Sequence, residues 1–140
     1  MAMKSTFKKP GFGYTEVQAS TSSPGKRVVM MYDGILKNLR IAIDKLTDAE
    51  PEDFEEIHNA LALAERLITE LRLALDHKLG GEISQNLEGL YEFWVFYISE
   101  ANINKDVEKI QSVYEQVSAL REAWDEAAKE AIKMGISSNV

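Results

Sequence analysis

The residues whose types and spacing could do chemistry are few. "EEIH", residues 55 to 58, sets Glu55 and His58 at the Glu-x-x-His spacing with which helical bundles hold di-iron centres. Such a centre needs a second pair and two further inward carboxylates, yet the only other histidine, His77, has Ala74 three residues before it. A metal site is therefore not expected. His58 sits beside an apolar stripe and reads as a boundary histidine with its polar nitrogen toward water. His77 falls near a helix end, where the dipole could favour it. Gly80-Gly81 lacks the Lys-Ser/Thr that completes a phosphate-cradling loop, and no nucleophile-elbow serine occurs. With no cysteine, disulfides and thiolate metal sites are excluded. Neither an enzyme nor a cofactor is supported.

Charge narrows the remaining classes. Net charge is −7, divided unevenly: residues 1 to 27 hold five Lys/Arg against one Glu, and residues 28 to 140 hold 11 basic against 22 acidic. An acidic body repels phosphate backbones, so nucleic-acid binding is not expected. No run approaches the roughly 18 apolar residues of a membrane span, and the N-terminal residues lack the apolar core of a signal peptide. Membrane insertion is not expected, and the default location is the cytoplasm.

What remains is an arrangement of helices. Residues 1–22 carry Gly11, Gly13 and Ser/Thr without a sustained period, which reads as a flexible N-terminal arm bearing Phe7, Phe12 and Tyr14. Ser23 is an N-cap and Pro24 a first helical residue. Val28, Tyr32, Ile35, Leu39, Ile43 and Leu46 follow at spacings of three and four. A second stripe runs through Phe54, Ile57, Leu61, Ala64, Ile68, Leu71 and Leu75 to a stop at Gly80-Gly81. A third runs from Glu82 to about Ala101 on Ile83, Leu87, Leu90, Trp94 and Ile98, and a fourth, capped by Asn104, runs from Val107 toward Gly135. Short connections make neighbours antiparallel. The expected fold is all-α, an antiparallel up-down-up-down four-helix bundle over 23–135, with a frayed tail at 136–140.

The apolar pattern exceeds what one core needs. Met30 falls nearly opposite its helix's stripe. Ala60, Leu63, Leu67 and Ala74 flank the second stripe, widening it beyond the roughly 100° a surface helix uses. In "LYEFWVFYI", Phe96 falls almost opposite Trp94, with Phe93 on the shoulder. Contiguous surplus apolar residues mark a covered or partner-binding surface, and another amphipathic helix is the natural ligand. The alternative is a structural or oligomerisation module in which the Phe93/Phe96 face makes a homodimer.

Spaced blocks give the chain a resemblance over nearly its whole length. They are Tyr14, Ser23-Pro24 ahead of "MYDGIL" (Met31 to Leu36), and Leu75-Asp76 leading into Gly80-Gly81-Glu82-Ile83. Then come Asn86-Leu87 with Leu90-Tyr91, Ala101-Asn102 with Asp106, and Arg121-Glu122-Ala123-Trp124. In these blocks the chain resembles the flagellin-export chaperone family, FliS. The resemblance implies a cytosolic secretion chaperone that binds the disordered C-terminal segment of flagellin, prevents its premature polymerisation and presents it for export without ATP. An export-gate protein or a co-chaperone is a further implied partner. It also implies an N-terminal segment that folds over the bundle until flagellin displaces it, with Tyr14 at the motif position. Two departures stand out: Gly11 occupies the place of a second tyrosine, and Val95 and Phe96 stand where many members are basic.

The residues expected to meet a partner are therefore Tyr14, Met30, Ala60, Leu63, Leu67, Ala74, Phe93 and Phe96.

Overall fold

The computed structural model describes residues 23–48 and 53–135, which form four α-helices: α1 Pro24–Thr47, α2 Phe54–Leu73, α3 His77–Asn104 and α4 Val107–Lys133. Tyr14, the rest of the arm and the tail at 136–140 lie outside the described residues. Each helix packs on its neighbours in sequence and α4 closes against α1, so the expected antiparallel four-helix bundle is present.

Helix starts follow local hydrogen-bonding chemistry. The Ser23 hydroxyl accepts from the Lys26 amide at 3.3 Å, with Pro24 following where its missing N–H costs nothing. Asp106 Oδ1 caps α4 by accepting from Glu108 and Lys109, so the cap is Asp106 and not Asn104. Lys105, at φ 51°, provides the left-handed turn between α3 and α4.

The second connection differs more from the sequence reading. α2 ends at Leu73, not at Gly80-Gly81, and Asp76 Oδ1 starts α3 by accepting from the amides of Lys78 and Leu79, both at 3.0 Å. The glycine pair lies inside α3, where Gly81 (φ 54°, ψ −126°) kinks the chain after one turn. His77 consequently sits at the N-terminal end of a helix. Its Nε2 lies 3.0 Å from Glu88 Oε1, beyond the kink.

The interior joins the four apolar stripes. Trp94, Tyr32 and Tyr91 are its largest fully buried side chains, set among Ile35, Leu39, Ile57, Leu61, Ile68, Ile98, Ile110, Val113 and Val117. Each large aliphatic so buried stabilises by roughly 1.5–3 kcal/mol. The polar tips are paired: Tyr32 and Tyr91 share a 2.7 Å hydrogen bond, and Trp94 Nε1 donates to Gln116 Oε1 at 2.8 Å.

Cross-helix polar contacts fix the register of each pair. Arg121 Nε donates to Asp33 at 2.8 Å and the Arg40 guanidinium lies 4.6 Å from the Tyr114 ring centre, tying α4 to α1. Lys45 reaches Glu56 at 3.4 Å, tying α1 to α2. His58 Nδ1 and Asn102 Nδ2 meet at 2.8 Å across α2 and α3. No helix among the described residues is long and apolar enough to cross a membrane.

Candidate partner-binding site

The surplus apolar residues divide between two surfaces on opposite sides of α2. The first is the seam between α1 and α2. A Cβ on Gly34 would come within 3.1 Å of Leu67 Cδ1, so the missing side chain is what lets these helices approach. Gly34 opposite Leu67 and Lys45 opposite Glu56 set one antiparallel register. By that register Met30, one turn before Gly34, lies level with Leu71, and Leu63, one turn before Leu67, lies level with Asn38. Met30, Leu63 and Leu67 are all half-buried.

The second surface is a shallow groove of about 410 Å³ between α2 and α3, lined by Glu65, Thr69 and Arg72 from α2 and by Glu92, Val95, Phe96 and Ser99 from α3. Phe96 is 60% exposed. Arg72 NH1 lies 3.4 Å from Glu88 and from Glu92, which occupies the one arginine of the groove. Glu65, at its other end, has no ion pair among the described residues, and burial pushes its carboxyl above the usual value while the nearby His58 pulls it down.

Two residues expected at a partner surface have other places. Ala60 is buried at 6% in the core, where it packs within the bundle. Ala74 is exposed but is the C-cap of α2, its amide bonded back to Glu70 and Leu71. Phe93 stacks on Tyr97 with ring centres 4.9 Å apart, and Lys109 lies on Tyr97 in turn, so Phe93 leans toward α4 while Phe96 borders the α2 groove. Leu67 combines both duties, packing against the core and lining the α1 seam.

His58 has a defined partner. Lys105 Nζ donates to the Asn102 Oδ1. This orients the Asn102 amide nitrogen toward His58 Nδ1, which accepts. The histidine thus holds the α3–α4 turn and does not point only to water. Among the described residues no three His, Asp or Glu side chains converge to hold a metal ion.

Most residues of the spaced sequence blocks therefore carry the scaffold. Asp33 pairs with Arg121, Tyr32 with Tyr91, and Trp124 packs 6.4 Å from the Tyr32 ring. Asp76 and Asp106 cap helices, Gly81 makes the kink, and Asn102 bridges α2 to the last turn. Gly34 shapes the seam itself.

The profile of "Flagellar protein FliS" matches residues 10–131, and the chain belongs to that family. Among its relatives, the flagellar secretion chaperone FliS of Bacillus subtilis is 29% identical over 118 residues, covering 84% of this chain and 85% of that protein. The flagellar secretion chaperone FliS of Campylobacter jejuni is 32% identical over 116 residues, covering 81% and 86%. That of Salmonella typhimurium is 30% identical over 117 residues, covering 83% and 84%. The chain is accordingly a flagellar secretion chaperone by family, and the family is non-enzymatic.

Proposed function

We propose that the protein binds the C-terminal segment of flagellin in the cytoplasm, keeps it from polymerising and hands it to the export apparatus. The observation that carries this is the family match across residues 10–131, joined to relatives whose names describe secretion chaperones. The α1/α2 seam supports it physically. Met30, Leu63 and Leu67 offer half-buried apolar surface at helical spacing, and Gly34 keeps the seam narrow. An amphipathic segment laid there would bury spaced anchors, with methionine adapting to their shapes. Ordering such a segment costs roughly 2–5 kcal/mol, which keeps release feasible. Tyr14, in the arm preceding α1, would compete with the segment for this seam.

Calorimetric titration of the full chain with a C-terminal flagellin peptide is expected to show saturable binding with a negative heat-capacity change. Leu67→Asp should abolish it while helicity is retained. Absence of saturable binding to the wild-type chain would overturn the assignment.

A further inference from the structure

We propose that the α2/α3 groove is a second docking site, separate from the α1/α2 seam, for a cationic amphipathic helix of another protein, with Phe96 as apolar anchor and Glu65 and Glu92 as charge partners. This goes beyond flagellin binding and does not depend on it.

The groove has both features such a helix would need. Phe96 is 60% exposed, and Ile103, two turns further along the same face of α3, is 79% exposed. The groove's lining carries Glu65 and Glu92 with one arginine, Arg72, which Glu92 shares with Glu88. Glu65 is left half-buried with no ion pair among the described residues.

Charge selects the occupant. A second copy would bring an acidic surface, since residues 28–140 hold 22 acidic against 11 basic side chains, and like charges would meet across the contact. A neutral helix would bury the Glu65 carboxylate further without compensation. A Lys or Arg one turn from a Leu or Phe satisfies the carboxylate and covers the phenyl ring together. Because Leu67 meets α1 while Glu65 and Arg72 line the α3 side, both surfaces of α2 can be occupied at once.

The probe is a synthetic amphipathic peptide of roughly five turns, leucine along one face and lysine elsewhere, compared with the same peptide carrying glutamate for lysine. Each is titrated into the full chain by fluorescence anisotropy, and the contact is mapped by amide exchange. The lysine peptide is expected to bind saturably, to weaken with added salt and to protect 65–72 and 92–99, whereas the glutamate peptide does not bind. Glu65→Gln combined with Phe96→Ser should lower the affinity about tenfold or more. The same variant should keep its thermal midpoint and its flagellin-peptide binding. Equal binding of both peptides, protection elsewhere, or unchanged affinity in the double variant would overturn the proposal. So would groove protection in the free chain that Lys8→Glu with Lys9→Glu removes, which assigns the groove to residues 1–22. A dimer in light scattering that Phe96→Glu dissolves would assign it to a second copy, with the same effect.

Discussion

Tyr32 of α1 and Tyr91 of α3 meet hydroxyl to hydroxyl at 2.7 Å in the middle of the bundle, 59 positions apart in sequence. Their helices are diagonal neighbours, and both rings are buried edge-on to one another. Replacing either tyrosine by phenylalanine strands the remaining hydroxyl. Each single variant is expected to lose about 1–3 kcal/mol, and the double Phe variant should recover much of that loss. Urea unfolding of the four proteins measures the cycle. Additive losses would show that the bond contributes nothing of its own.

The same pair sets an alkaline limit. Burial raises both phenols above the usual value near 10, and for Tyr32 the neighbouring Tyr91 adds to the effect. A group whose folded value is raised contributes stability below its unfolded value and loses it as pH climbs above about 10. The loss can reach about 1.4 kcal/mol per pH unit for each phenol. Helicity followed by circular dichroism beside tyrosinate absorbance should show the last tyrosines ionising only as the bundle unfolds. Full tyrosinate formation with helicity intact would contradict this.

Gly34 and Leu67 separate stability from binding. Alanine favours a helix interior by about 1 kcal/mol over glycine, while its methyl would press the flexible end of Leu67 at 3.1 Å. Gly34→Ala is expected to change unfolding free energy by less than about 1 kcal/mol, because the leucine tip can turn aside. Turning aside reshapes the seam, so flagellin-peptide affinity should fall several-fold in calorimetry. A variant with unchanged affinity would remove Leu67 from the proposed site.

The start of α3 should be locally fragile. Gly81 at φ 54° and ψ −126° lies where a Cβ is strained, although nothing in space blocks it. Gly81→Ala is expected to cost about 1–3 kcal/mol from backbone strain alone. Asp76→Ala removes a side chain that satisfies two amides and should cost about 1 kcal/mol. Amide exchange would accelerate in residues 77–80 before it does in the rest of α3.

The four helices were readable because their apolar residues recur at helical spacing, and Ser23-Pro24 marks a start that the structure keeps. The α2–α3 boundary was not, because Leu75 stays in phase with the second stripe and packs on the core from a loop. Gly80-Gly81 looks the same in sequence whether it stops a helix or bends one. Tyr32–Tyr91, His58–Asn102 and Asp33–Arg121 join residues 59, 44 and 88 apart, and periodicity within one helix holds no trace of such partners. The same limit explains Ala60: phase put it on the flank of a wide stripe, and only the packing of the neighbouring helices shows that it is buried while Leu63 and Leu67 on the same flank stay half-buried.

The kink at Gly81 divides α3 into a short capped turn and a long rod. The turn holds its own Asp76 cap, and is fastened to the rod by the Ser84 hydroxyl on the Asp76 carbonyl and by His77 beside Glu88. Because the backbone conformation breaks at Gly81, fraying that begins at the turn meets a boundary before it reaches the packed segment carrying Tyr91 and Trp94. This end of the bundle can therefore open and reclose in a small, cheap excursion while the centre stays shut.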